Sequence, residues 1–92
     1  MPEQIGSFMN FVKACEKDGA ISAKTKELIG IALAVKSQCK PCIAIHVKKG
    51  ISLGLSREEI LESCMMAVLM GGGPAMMYVK YVVDAIDEFT SE

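Results

Sequence analysis

The sequence predicts an all-α protein built from five to six helices. Signals for strands are almost absent, because aromatic residues make up only 5% of the chain and alternation of apolar and polar residues is not sustained. Apolar residues instead recur three and four positions apart, and residues that start or stop helices follow one another along the chain. With 92 residues the chain has room for one domain, which we expect to span residues 1–92.

The first two helices are predicted from apolar periodicity and from the residues at their ends. The first ends at Asp18-Gly19 and carries apolar residues at helical spacing, namely Ile5, Phe8, Met9, Val12 and Cys15. Ser22 can cap the second, because its hydroxyl can accept a hydrogen bond from a free backbone N–H group. The second helix ends near Ser37-Gln38, and its apolar stripe consists of Leu28, Ile31, Ala32 and Val35.

The third and fourth helices have clearer start signals. Pro41 suits the first turn of a helix, where its missing N–H group costs nothing, and this third helix runs towards Gly50 or Gly54. Ser56 followed three residues later by Glu59 is the pattern of a capping box, which opens the fourth helix.

Gly71-Gly72-Gly73-Pro74 ends the fourth helix, and Pro74 begins a fifth that ends near Phe89. No lysine-serine or lysine-threonine pair follows these glycines, so we interpret them as a helix break and not as a phosphate-binding loop.

Composition restricts the partners of the chain. Hydrophobic residues make up 51% of the sequence, more than one small core can bury, which predicts a homo-oligomer. A net charge of −1 without a basic stripe argues against nucleic acid. The longest apolar run, residues 64–70, stops at glycines and is too short for a membrane span. The first residues lack a signal-peptide pattern, so we expect a cytoplasmic protein that does not act on a membrane.

The segment Cys39-Lys40-Pro41-Cys42, followed by His46, is the clearest candidate for chemistry. Two thiols at this spacing can form a disulfide or share a metal ion. Offsets of three and seven residues from Cys39 put Cys42 and His46 on one helical face. The positive end of the helix dipole and Lys40 favour a thiolate, and His46 can exchange its proton.

The other candidates carry a structural alternative. Glu27 lies among apolar neighbours and can orient the histidine, although spacing alone favours an exposed glutamate near a helix start. Cys15 and Cys64 lie within apolar helical patterns, which predicts small buried side chains for both.

Glu27, Cys39, Cys42 and His46 reproduce a four-point spacing, with eleven, two and three residues between them. This pattern resembles the E-x11-C-x2-C-x3-H signature of the AhpD-like alkylhydroperoxidases, which belong to the carboxymuconolactone decarboxylase superfamily. The resemblance extends over the capped helix from Ser56 and the glycine turn, and so covers most of the chain from about residue 20.

The resemblance implies a helical fold that assembles into trimers or hexamers, and an antioxidant, thiol-based peroxidase that needs no cofactor and no metal. Cys42 would attack a hydroperoxide substrate and become a sulfenic acid, and Cys39 would resolve it as a disulfide. An external dithiol reductant, lipoyl- or thioredoxin-like, would reopen the disulfide. Glu27 and His46 would form the proton relay.

One departure from the family widens the alternatives. Peroxidases of this family often carry a second histidine just before the second cysteine, and Pro41 stands there in this chain. A general thiol–disulfide oxidoreductase without significant peroxidase activity is therefore a second hypothesis. A metal clip formed by Cys39, Cys42 and His46, a decarboxylase and a non-catalytic helical assembly module are weaker ones.

Overall fold

The structure is a computed structural model that describes residues 1–90, and within them the fold is all-α, as predicted. The last two residues of the predicted domain, 91 and 92, lie outside the described residues. The five helices are α1 (Pro2–Glu16), α2 (Ala23–Lys36), α3 (Lys40–Ser52), α4 (Arg57–Gly71) and α5 (Gly73–Thr90).

The helices begin and end where local chemistry directs. The Ser22 side chain accepts a hydrogen bond from the Thr25 N–H group at the start of α2. Ser56 and Glu59 form the predicted capping box of α4. Gly72 separates α4 from α5 with a φ of +68°, a conformation that favours glycine.

The core lies among α2, α3, α4 and α5, which each contribute apolar side chains to one continuous cluster. The largest of its fully buried residues are Ile31, Ile43, Ile60, Val35, Val47, Val82 and Cys64. Cys64 is buried as predicted. Because α2 and α3 are joined by only three residues, they form a hairpin that holds their facing side chains in a fixed register.

Helix α1 stands apart, since it contributes no buried residue. Its rings Phe8 and Phe11 are 61% and 62% exposed. The prediction that Cys15 is buried is wrong, because α1 packs only loosely against α2 and the two helices leave an open cavity beside Cys15. The helix is held at its C-terminal end, where the Lys26 ammonium donates to the backbone oxygens of Cys15 and Lys17, both at 2.8 Å.

Other large apolar side chains are also exposed, and they cluster at the C-terminal end of α4 and the start of α5. They include Met66, Leu69, Met70, Met76 and Met77. The predicted homo-oligomer would cover such surfaces and stays a prediction. Among the described residues, none of the helices combines the length and apolar character that crossing a membrane requires.

Candidate functional site

Cys39 and Cys42 lie at the start of α3 and are joined by a disulfide in the structure. Cys39 is the N-cap residue, and its sulfur accepts a hydrogen bond from the Cys42 N–H group at 3.3 Å. Pro41 occupies the first turn between them, where a backbone donor is not needed. Both cysteines are half-buried, and Cys42 also packs against the core.

His46 lies one turn after Cys42 on α3 and is half-buried. It lines a shallow pocket of about 240 Å³ together with both cysteines. The rest of this pocket, which we call the cysteine pocket, is formed by Gly30, Leu33, Ala34 and Ser37. The structure therefore brings the three side chains of the CxxC-x3-H pattern to one surface.

Glu27 completes the predicted set from α2. It is 2% exposed, the one charged residue among the described residues to be buried, so the expectation of an exposed helix-start glutamate is wrong. Ser22 caps α2, which places Glu27 in the second turn and facing α3. Its Oε1 atom lies 2.7 Å from Nδ1 of His46, so the buried carboxylate is partnered by the imidazole.

Two further residues belong to the site and were missed from the sequence. Glu16, at the end of α1, places Oε2 3.7 Å from His46 Nδ1. Its other oxygen, Oε1, accepts a hydrogen bond from the Lys49 ammonium at 2.7 Å. No sequence pattern distinguishes Glu16 and Lys49 from other polar residues of their helices. Only the packing of α1 against α2 and α3 shows that they belong to the site.

The grouping of Glu16, Glu27 and His46 also bears on metal binding. Their donor atoms lie within 4.8 Å of one another, which is close enough for a shared ion. The Lys49 ammonium, however, already neutralises Glu16 and would compete with a cation. The metal clip considered from the sequence used the cysteine sulfurs, and these are bonded to each other here.

A second cavity adjoins the cysteine pocket, since Gly30, Leu33 and His46 line both. It measures about 400 Å³ and lies between α1 and α2. Its remaining lining is largely apolar and comprises Phe11, Val12, Cys15, Glu16, Lys26 and Ile29. We call it the apolar cavity.

Taken together, fold and site define a small all-helical protein with a cysteine pair at a helix start beside a glutamate–histidine pair. The sequence model of the carboxymuconolactone decarboxylase family matches residues 2–85. The chain therefore belongs to the carboxymuconolactone decarboxylase family.

Relatives and solved structures agree with that membership. An uncharacterised protein of Cupriavidus necator is 34% identical, with 94% of this chain matched to 76% of the relative. A family member from Legionella pneumophila, crystallised in its apo form, superposes with a TM-score of 0.95 at 47% identity, covering 99% of this chain and 81% of that one. Another from Thermotoga maritima, for which involvement in the antioxidative response is suggested, gives a TM-score of 0.85 at 30% identity, covering 90% and 71%.

Proposed function

We propose that the protein is a thiol-dependent peroxidase of the alkylhydroperoxidase type, with Cys42 as the peroxidatic cysteine and Cys39 as the resolving cysteine. The observation that carries the proposal is that both cysteines share a pocket with His46, whose Nδ1 is paired with a buried carboxylate. The suggested antioxidative role of the Thermotoga relative supports the same class of reaction.

The first step uses the reduced protein. The Cys42 thiolate attacks one oxygen of a hydroperoxide, the O–O bond breaks, and the leaving oxygen takes a proton to become an alcohol or water. Cys42 becomes a sulfenic acid. Because the Glu27 carboxylate accepts a hydrogen bond from Nδ1 of His46, the other ring nitrogen, Nε2, is the one left to exchange protons with the reactants.

The second step closes the pair. The Cys39 thiolate attacks the sulfur of the Cys42 sulfenic acid, a hydroxide leaves as water after protonation, and a disulfide forms. The Cys39–Cys42 disulfide of the structure corresponds to this product. An external dithiol, lipoyl- or thioredoxin-like, then supplies two electrons and returns both thiols.

The two cysteines are given unequal roles because their positions differ. Cys42 lies in the first turn of α3 and one turn from His46, and this proximity to the proton acceptor assigns the attack to it, although a backbone N–H group contacts the sulfur of Cys39. Cys39 is the N-cap residue at the edge of the helix, and we assign to it the reaction with the incoming reductant. We place this activity in one domain, residues 1–92, of a cytoplasmic homo-oligomer, a trimer or hexamer.

General thiol–disulfide exchange is the second candidate, and the residue that favours it is Pro41. The chain has a single histidine, so a relay with a second imidazole is not available to it. Exchange with a partner disulfide needs only the reactive pair and a proton acceptor.

Peroxide consumption by wild type and Cys42→Ser, each supplied with a competent dithiol, tests the assignment. We expect the serine variant to lose turnover by at least about a hundredfold, because the attacking atom is gone. Mass spectrometry of the wild type after one equivalent of peroxide should find the Cys39–Cys42 bridge. Equal consumption by the two proteins would defeat the peroxidase assignment, and activity on a disulfide substrate alone would favour the second candidate.

A further inference from the structure

Gly30 lies on α2, three residues after Glu27, and directly faces His46. A Cβ atom at this position would lie 2.9 Å from Nδ1 and 3.0 Å from Cε1 of the imidazole. Carbon atoms of real side chains do not approach other groups so closely, so the ring lies against bare backbone. Glycine destabilises a helix interior relative to alanine, so its presence here calls for a local reason.

The register of the α2–α3 hairpin shows what that reason is. Gly30 faces His46, and one turn away on each helix Glu27 faces Gly50, at which a Cβ would lie 3.7 Å from the Cβ of Glu27. With the imidazole against α2 at residue 30, Oε1 of the buried carboxylate lies 2.7 Å from Nδ1 of the ring. A side chain at residue 30 would occupy the space that the ring needs for that hydrogen bond.

We propose that Gly30 is a positioning residue, whose missing side chain holds the His46 imidazole in contact with Glu27 and so fixes which ring nitrogen serves the cysteine pair. This inference rests on the proposed function for its catalytic consequence, but its geometric part stands by itself. In Gly30→Ala we expect the added methyl group to displace the ring from α2 and to weaken its hydrogen bond to Glu27, which is 2% exposed.

A competing explanation is that Gly30 only leaves room for a ligand, since it lines both the cysteine pocket and the apolar cavity. In that case an added methyl group would reduce the space for substrate without moving the ring. The two explanations differ in the state of the imidazole in the protein without substrate.

Nitrogen NMR of protein labelled with ¹⁵N-histidine measures that state, because His46 is the single histidine of the chain and gives one pair of ring signals. We expect the Gly30→Ala signals to move away from the wild-type positions towards those of a free, tautomer-averaged imidazole. Gly6→Ala is the matched control, since it also replaces a helical glycine but has nothing within 4 Å of the added Cβ. Ring signals in Gly30→Ala that superpose on wild type would overturn the proposal.

The rate of disulfide formation after a peroxide pulse tests the catalytic part. We expect Gly30→Ala to be slower than wild type by about tenfold or more, approaching His46→Gln, while Gly6→Ala keeps the wild-type rate. The proposal would also be overturned if His46→Gln is slow while Gly30→Ala, with its ring displaced, forms the disulfide at the wild-type rate. If His46→Gln itself reacts at the wild-type rate, the relay of the proposed function fails, while a displaced ring in Gly30→Ala would still support the positioning role.

Thermal unfolding keeps the steric argument testable should Gly30→Ala be poorly folded. In the wild-type background alanine at residue 30 should lower the unfolding midpoint, because the buried Glu27 carboxylate is left without its hydrogen bond to His46. In a His46→Ala background the same substitution should raise the midpoint, since only the gain in helix propensity remains. A midpoint that changes in the same direction in both backgrounds would contradict the contact between residue 30 and the imidazole.

Discussion

Cys42 and Cys64 both lie on helices among mostly apolar neighbours, but the two thiols have opposite surroundings. Cys42 stands in the first turn of α3, half-buried, beside a pocket that contains a histidine. Cys64 stands in the middle of α4, fully buried, and this burial raises the pKa of its thiol to about 11. Position on the helix, rather than residue type, therefore decides whether a cysteine here opens on a pocket or lies in the core.

The largest difference should appear in alkylation of the fully reduced protein at pH 7. A thiol with a pKa of about 11 is ionised about 100-fold less at that pH than a thiol with the ordinary pKa of 9.0. We expect Cys39 and Cys42 to react with iodoacetamide within minutes while Cys64 stays unlabelled until denaturant is added. Mass spectrometry of timed samples measures this, and early labelling of Cys64 would remove the contrast.

Glu27→Gln should have the next largest effect. It should change the reactivity of Cys42 and leave that of Cys64 unchanged. The glutamine oxygen can still accept from Nδ1, but it carries no charge to stabilise a protonated His46. We expect the rate of Cys42 oxidation by peroxide to fall by about tenfold. The labelling of Cys64 should be unchanged, and a change there would show that the substitution disturbs the core.

Much of this contrast could be predicted from the sequence, and the limits have physical causes. Caps and apolar spacing are local signals, and they located all five helices and the common face of Cys39, Cys42 and His46. The burial of Glu27 and the exposure of Cys15 depend on which helix packs against which, and no local signal records that. The contact of Glu16 with His46 and Lys49 depends on the same packing.

Cys64→Ser should reverse the pattern of the site variants, with a loss of stability and no loss of activity. The substitution places a hydroxyl group where the structure has a fully buried thiol in the core. We expect the free energy of unfolding to fall by about 1–3 kcal/mol, because a hydroxyl group is buried without hydrogen bonds that replace those it made to water. Urea denaturation measures the loss, and the peroxide assay is its control. A serine variant as stable as wild type would show that the core tolerates polarity at this point.

The smallest effect expected is a decrease in the free energy of unfolding at alkaline pH that is caused by the ionisation of Cys64. Burial raises the pKa of this thiol from 9.0 to about 11, so the folded state keeps its proton while the unfolded chain releases it. Between pH 9 and 11 the unfolded state therefore binds fewer protons, and the free energy of unfolding must decrease as pH rises. Over the range from pH 8 to 10 the contribution should be on the order of 1 kcal/mol. Cys64→Val, which has no ionisable group, should show a shallower decline than wild type in urea titrations at pH 8, 9 and 10. Parallel curves for the two proteins would mean that the thiol is not held neutral by the core, and the distinction between Cys64 and Cys42 would then rest on geometry alone.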